Sequence, residues 1–155
     1  MNIDDLKTLM DEFDPAALLP ELDTIMGKIE LITRIAVLVG PIILLVMGIL
    51  YLIASPKEAN YYIGYRCFFG MGSVDAWRFT QRLAGIVWGL LGLGLTGVMV
   101  LISSGFHDME IMDMVWKAIS CVLWEAGIVA ASCLVINTLV MLRFDAKGEH
   151  RRKKA

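Results

Sequence analysis

Three stretches of the chain are almost unbroken runs of apolar residues, Ile35 to Ala54, Leu83 to Ile102 and Ala118 to Leu142, with the polar residues gathered between and outside them. Each has the roughly 20 residues that, at about 1.5 Å rise per residue, cross a hydrocarbon core about 30 Å thick. Lipid offers no hydrogen bonds, so a spanning segment must pair its own backbone amides, and all three are predicted to be helices. The predicted fold class is therefore all-α, an integral membrane protein with three transmembrane helices. Within these spans the one formal charge is Glu125.

Ahead of the first span the pattern changes. Ile3, Leu6, Leu9, Met10 and Phe13 recur at helical spacing, with Asp4, Asp5, Asp11, Glu12 and Asp14 between them, which predicts an acidic amphipathic N-terminal helix. Pro15 and Pro20 punctuate it, and Leu22, Ile25, Met26 and Ile29 resume the spacing and lead toward the first span. No Lys/Arg-headed n-region precedes a short apolar core, so a conventional cleaved signal peptide is not expected. An acidic helix is repelled by anionic lipid, which favours contact with a partner or with this protein's own outer face, against the simpler reading of a solvated leader. The chain thus divides into a leader over 1–30, a membrane domain over 31–142 with a loop at 55–82, and a tail over 143–155.

Composition agrees with a membrane unit: 155 residues, 57% of them hydrophobic, with mean hydropathy +0.67, are too apolar for an ordinary soluble domain and too few for two membrane domains. The net charge of −2 conceals a separation of signs. The acidic leader stands opposite a basic tail, Arg143, Lys147, Arg151, Arg152, Lys153 and Lys154, while the first loop carries Lys57, Arg66, Arg78 and Arg82. By the positive-inside rule the loop and tail are cytoplasmic and the N-terminus is outside. The tail is expected to lie on anionic headgroups, each charge contributing about 1 kcal/mol near the surface. Cys67, Cys121 and Cys133 form no CxxC pair, His107 and His150 stand apart, and neither a metal site, a disulfide framework nor a cofactor is expected.

Two features concern packing. Gly85, Gly89, Gly92 and Thr96 fall on one stripe of the second span, and Ala36, Gly40 and Gly48 suggest a similar stripe on the first, where Pro41 is expected to bend the helix. Small residues let backbones approach in lipid, so the first span is predicted to pack against the second. Glu125, at about 2.5–3.5 kcal/mol on insertion scales, shares a face with Cys121 and Ser132 and needs an explanation. It either reaches outward to the interface or is protonated, or it makes a polar contact with another span or a ligand. Trp116 and Trp124 are read as interface anchors.

The stretch from Asn60 to Arg82 is rich in aromatics and glycines. Gly64, Gly70 and Gly72 break any helix, and Ser73 followed by Asp75 forms an N-cap with a favourable negative charge, so a helix is predicted to start there. Tyr61, Tyr62, Tyr65, Phe68 and Phe69 are expected at headgroup level and Trp77 at the interface, leaving Arg66 to pair with phosphate, helix-end carbonyls or a carboxylate.

Asn60, Ile63-Gly64-Tyr65-Arg66, Ser73, Trp77, then Gln81 and Gly85 leading into a span resemble the SdpI family of bacterial membrane immunity proteins. The resemblance covers about Ile35 to Ile102. Two positions depart from it: Cys67-Phe68-Phe69 stands where the family usually has Thr, often followed by Pro, and Gln81 stands where Asn or His is usual. The resemblance implies a multi-pass protein of the bacterial plasma membrane that confers resistance to a secreted antimicrobial peptide and, in some members, captures a cytoplasmic repressor. It points to Asn60, Gly64, Arg66, Ser73, Trp77 and Gln81 as the binding loop. Each also has an ordinary structural reading, as turn, cap, anchor or lipid-phosphate ligand. The competing class is a small accessory or assembly subunit of a larger membrane complex, docking as a homo- or hetero-oligomer through its glycine stripes and leader. No HExxH, GxSxG or P-loop pattern is present, so neither an enzyme nor a nucleic-acid partner is expected.

Overall fold

The computed structural model describes residues 15–56, 59 and 63–151, with the backbone alone for 15–21. Asn60, Tyr61, Tyr62 and the acidic stretch of residues 1–14 lie outside the described residues, and with them the predicted leader helix.

Three long helices make the fold: α1 over Pro15–Ile53, α2 over Val74–Ser104 and α3 over Ile111–Arg143. Each contains one of the apolar runs and is long and apolar enough to cross a membrane. Among the described residues there is no strand, only an isolated bridge. Residues 15–30 do not form a separate unit: α1 continues through Pro20 and through Pro41, whose ring is buried.

The outward surface explains where this bundle lives. Leu90, Leu93, Leu101, Leu123 and Leu134 are each more than 60% exposed, at 67%, 62%, 74%, 68% and 69%. Apolar patches of that extent are untenable in water and ordinary in lipid. Trp116 and Trp124 also face outward.

Inside, α1 turns Thr33, Val37, Pro41, Leu44, Gly48 and Tyr51 inward, and α3 does the same with Met114, Ala118, Cys121, Glu125, Ser132, Ile136 and Val140. Both sets follow the spacing of three and four that keeps residues on one helix face.

α1 packs most extensively on α2, as the glycines predict. A Cβ at Gly48 would run into the backbone nitrogen of Gly89 and stand 2.6 Å from its Cα. A Cβ at Gly92 would strike the Leu45 backbone, and one at Gly85 would lie 2.7 Å from Leu52 Cγ. Gly89 offers its backbone to Gly48, but a methyl on Gly89 itself would meet nothing within 4 Å. The expected stripe on α1 is split between two partners, for Gly40 faces Glu125 of α3. At 3.6 residues per turn, Ala36 and Gly48 are about 120° apart, too far to share one contact line.

Two hydrophobic clusters fill the bundle. At the end where α2 leads into α3, Phe106, on the 3₁₀ turn Gly105–Asp108, is 1% exposed and packs with Val37, Met99, Met114 and Cys121. At the opposite end Tyr51, Tyr65, Ala84, Ile136, Val140 and Phe144 gather around the loop between α1 and α2.

Candidate functional site

The described part of the loop from residue 63 to residue 73 folds as a fastened lid on the bundle end. Its centre is Gln81, which is fully buried. The Tyr65 backbone N–H donates to Gln81 Oε1 at 2.8 Å, and Gln81 Nε2 donates to the Tyr65 carbonyl at 2.8 Å. One primary amide thereby satisfies both backbone groups of a buried loop residue, which neither water nor lipid could do there.

Tyr65 is 8% exposed, its side chain packed into the bundle rather than turned out toward lipid. Its ring stands edge-on to Trp88, with centroids 5.3 Å apart, and Trp88 in turn meets Tyr51 at 5.6 Å. The Tyr65 hydroxyl has one proton to give and faces two acceptors on α3, Asn137 Oδ1 at 3.0 Å and the Cys133 carbonyl at 3.2 Å. Burial, and then the neighbouring Cys133, hold that hydroxyl well above its ordinary pKa, so the proton stays. Trp88 Nε1 donates to Ser132 Oγ at 3.1 Å. All three helices therefore meet the loop through one aromatic joint.

Trp77 is likewise not an interface anchor. It is fully buried, and its Nε1 donates to the Pro56 carbonyl at 2.9 Å, tying the end of α1 to the start of α2. Gly64, at φ +119°, passes directly over its ring, where a Cβ would lie 2.7 Å from the Trp77 ring carbons and 2.9 Å from Gln81 Oε1. That backbone angle and that contact both require glycine. The remaining turn is closed by the Cys67 carbonyl, which accepts from Gly70 N–H at 3.1 Å and Met71 N–H at 3.2 Å. Burial pushes the Cys67 thiol up, which favours its protonated form.

Ser73 caps α2 as its spacing predicts, accepting from Ala76 N–H at 3.1 Å. The same hydroxyl donates to the Gly148 carbonyl at 2.8 Å, a contact with the C-terminal segment that the sequence reading did not foresee. That segment is not simply a basic strip on lipid, since residues 144–151 turn back onto α2. Phe144 is 1% exposed, with its ring 5.6 Å from Phe79 and 4.6 Å from His150. Asp145 Oδ1 accepts from Lys147 and Glu149 N–H, and Gly148 N–H closes a turn on the Asp145 carbonyl at 2.9 Å. Gly148, at φ +73°, lies against Gly72 so closely that a Cβ would stand 2.5 Å from Ser73 N. Asp145 followed three residues later by Gly148 is a type I turn pattern, the local signal that could have revealed the fold-back.

Replacing Ser73 separates these two roles. Ser73→Ala is expected to lower stability by about 1–2 kcal/mol through loss of the cap. Ser73→Asp, which can cap but cannot donate to Gly148, is expected to recover most of it while the tail becomes sensitive to protease. Thermal unfolding and limited proteolysis in detergent, run together, check both.

Among the predicted loop residues, Gly64, Ser73, Trp77 and Gln81 are brought together as one interlocked unit. Arg66 is different: it is exposed and has no ion pair among the described residues. Phe68 beside it is 75% exposed. The outward face of the lid is thus a cation next to an uncovered aromatic ring.

Glu125 forms the other candidate site. It lies about 21 Å along α3 from Ile111 and about 27 Å from Arg143, close to the middle of the helix. The side chain is 6% exposed and does not reach outward. It points across to α1, where a Cβ on Gly40 would stand 2.7 Å from Oε2. Beside it a groove of about 560 Å³ opens between α1 and α3, with Trp88 at its base. His107 contacts Glu30 at 3.3 Å, and no cluster of three metal-ligating side chains occurs among the described residues.

Three apolar helices closed at one end by an ordered lid define a small multi-pass membrane protein. A family model described as the SdpI/YfhL protein family matches residues 57–142, more than half of the 155-residue chain, and the chain belongs to that family. Among curated proteins and among solved structures, nothing matches it.

Proposed function

We propose that this protein protects the cell that carries it from a secreted antimicrobial peptide of the kind that collapses the membrane potential. The observation that carries this reading is membership of the SdpI/YfhL family over the lid, α2 and α3. The reading is non-enzymatic: the peptide is held by the bundle, and the lid stabilises the bundle in its binding form. In this reading the N-terminus is outside and the lid and tail are cytoplasmic, which the basic residues Arg66, Arg78, Arg82, Arg143, Lys147 and Arg151 of the first loop and the tail support. On that side Arg66 and Phe68 form the surface to which a cytoplasmic repressor would dock.

The test is survival of a strain killed by a cannibalism-type peptide, with and without this chain. Expression is expected to restore growth, and unchanged killing despite verified membrane insertion would remove the immunity reading. Arg66→Ala adds a sharper result. Because Arg66 has no ion pair among the described residues, its removal is expected to change stability by no more than about 0.5 kcal/mol. Loss of repressor capture at unchanged abundance would then identify Arg66 with docking.

A further inference from the structure

Among the described residues, Glu125 Oε1 is the buried side-chain oxygen with no hydrogen-bond partner. Cys121 and Ser132 lie on the same buried face, but Ser132 Oγ already donates to the Val129 carbonyl at 2.7 Å and accepts from Trp88. The buried polar side chains Thr33, Thr80 and Gln81 each have a partner within the fold: Thr33 the Ile29 carbonyl, Thr80 the Ala76 carbonyl and Gln81 the Tyr65 backbone. An acceptor left unmet in a low-dielectric interior is expensive, and a donor supplied from outside removes that penalty.

The groove beside Glu125 is shaped for such a donor to arrive from the bilayer. Its walls are Gly40 and Leu44 on α1 and Val122, Ala126 and Ala130 on α3, and its base is Trp88. Val122, Ala126 and Ala130 are exposed, so the groove opens toward lipid. From Val122 to Ala130 it follows α3 for about 12 Å, two helical turns. Gly40, Ala126 and Ala130 are the small residues that let a helix backbone come close where lipid supplies no hydrophobic drive. A lipid acyl chain could fill the volume, but it has no donor for Oε1.

We propose that this groove is the seat of the antimicrobial peptide, which enters from the bilayer as an apolar helix and donates one hydrogen bond from a polar side chain to Glu125. The occupant rests on the immunity reading above; the groove and its unmet acceptor are features of this chain. Protection then works by sequestration, with the peptide held against α1 and α3 and unavailable to assemble in the membrane.

Four variants of the full chain in the peptide-sensitive strain, compared at equal membrane abundance, test it. Ala126→Leu fills the groove from an exposed position and leaves the packed interior untouched, and Glu125→Leu removes the acceptor. Each is expected to lower the peptide concentration that cells survive by about tenfold, the equivalent of about 1.4 kcal/mol of binding. Glu125→Gln keeps an acceptor oxygen and is expected to lower that concentration less than Glu125→Leu does. Gly127→Leu puts the same side chain on α3 where a Cβ meets nothing within 4 Å, and is expected to protect like the wild type. A photoreactive side chain at Val122 should capture the added peptide.

Full protection by Ala126→Leu and Glu125→Leu overturns the groove while leaving immunity standing. Capture of a second copy of this chain, or of lipid alone, at Val122 overturns the occupant. Failure of the wild type itself to protect removes the immunity reading and the peptide occupant with it.

Discussion

Gln81→Leu is expected to destabilise the protein by about 3 kcal/mol or more. The side chain fits by volume, but it strands the Tyr65 N–H and carbonyl, which Gln81 holds at 2.8 Å each. A buried backbone group without a partner costs about 1–3 kcal/mol, and two are left at once. The consequences spread because Tyr65 carries the aromatic joint: once its backbone is released, its edge-on contact with Trp88 and its hydroxyl contacts with α3 lose their fixed geometry. Gln81→Glu is the informative intermediate. Its carboxyl, neutral when buried, can accept from the Tyr65 N–H with one oxygen and donate to the carbonyl from the other, so a smaller loss than for Gln81→Leu is expected, growing as alkaline pH ionises it. Thermal unfolding in detergent, followed by tryptophan fluorescence, reads both variants. A Gln81→Leu protein as stable as wild type would show that the lid does not depend on this amide.

Gly48→Leu is expected to break the α1–α2 pair. A Cβ there already enters the backbone of Gly89 and lies 2.8 Å from the Trp88 carbonyl carbon, and backbone atoms cannot rotate away as a side-chain tip can. The helices must separate, losing the close contact on which association in lipid rests. Overpacking of a core ordinarily costs about 1–3 kcal/mol, and a leucine against backbone belongs at or beyond the top of that range. The control lies directly across the same contact. Gly89→Ala is expected within about 0.5 kcal/mol of wild type, because its methyl meets nothing. Unfolding midpoints of the two variants in a denaturing detergent titration check the contrast, and equal losses would mean that the helices pack in another register.

That contrast also shows how far a glycine pattern can be read. Spacing alone puts Gly85, Gly89 and Gly92 along one stripe of α2, and Gly85 and Gly92 stand against Leu52 and Leu45 of α1. Which glycine is indispensable depends on the partner: Gly89 gives its backbone to the contact, whereas Gly48 and Gly92 each leave no room for a methyl. On α1 the apparent stripe divides, with Gly48 on α2 and Gly40 on Glu125.

The lid was legible in the same partial way. Gly64, Ser73, Trp77 and Gln81 stood out by residue type and spacing, and their resemblance to a family motif singled them out together. Their roles were not legible. Trp77 and Tyr65 have the composition of interface anchors, yet both are buried, because Gly64 and Gln81 allow the loop to fold inward over them. Arg66 alone among the described loop candidates keeps an outward, unpaired group.

Hydropathy acts over about 20 consecutive residues, so the three spans, their helical state and the membrane itself followed from the order of amino acids. The Ser73 cap is equally local, a hydroxyl three residues from the N–H it accepts. Only the tertiary structure decided the rest: Gln81 on Tyr65 across 16 residues, Ser73 on Gly148 across 75, Gly40 beneath the Glu125 carboxylate. A side chain's periodicity says which face it occupies, and the partner that face meets is a property of how the helices are stacked.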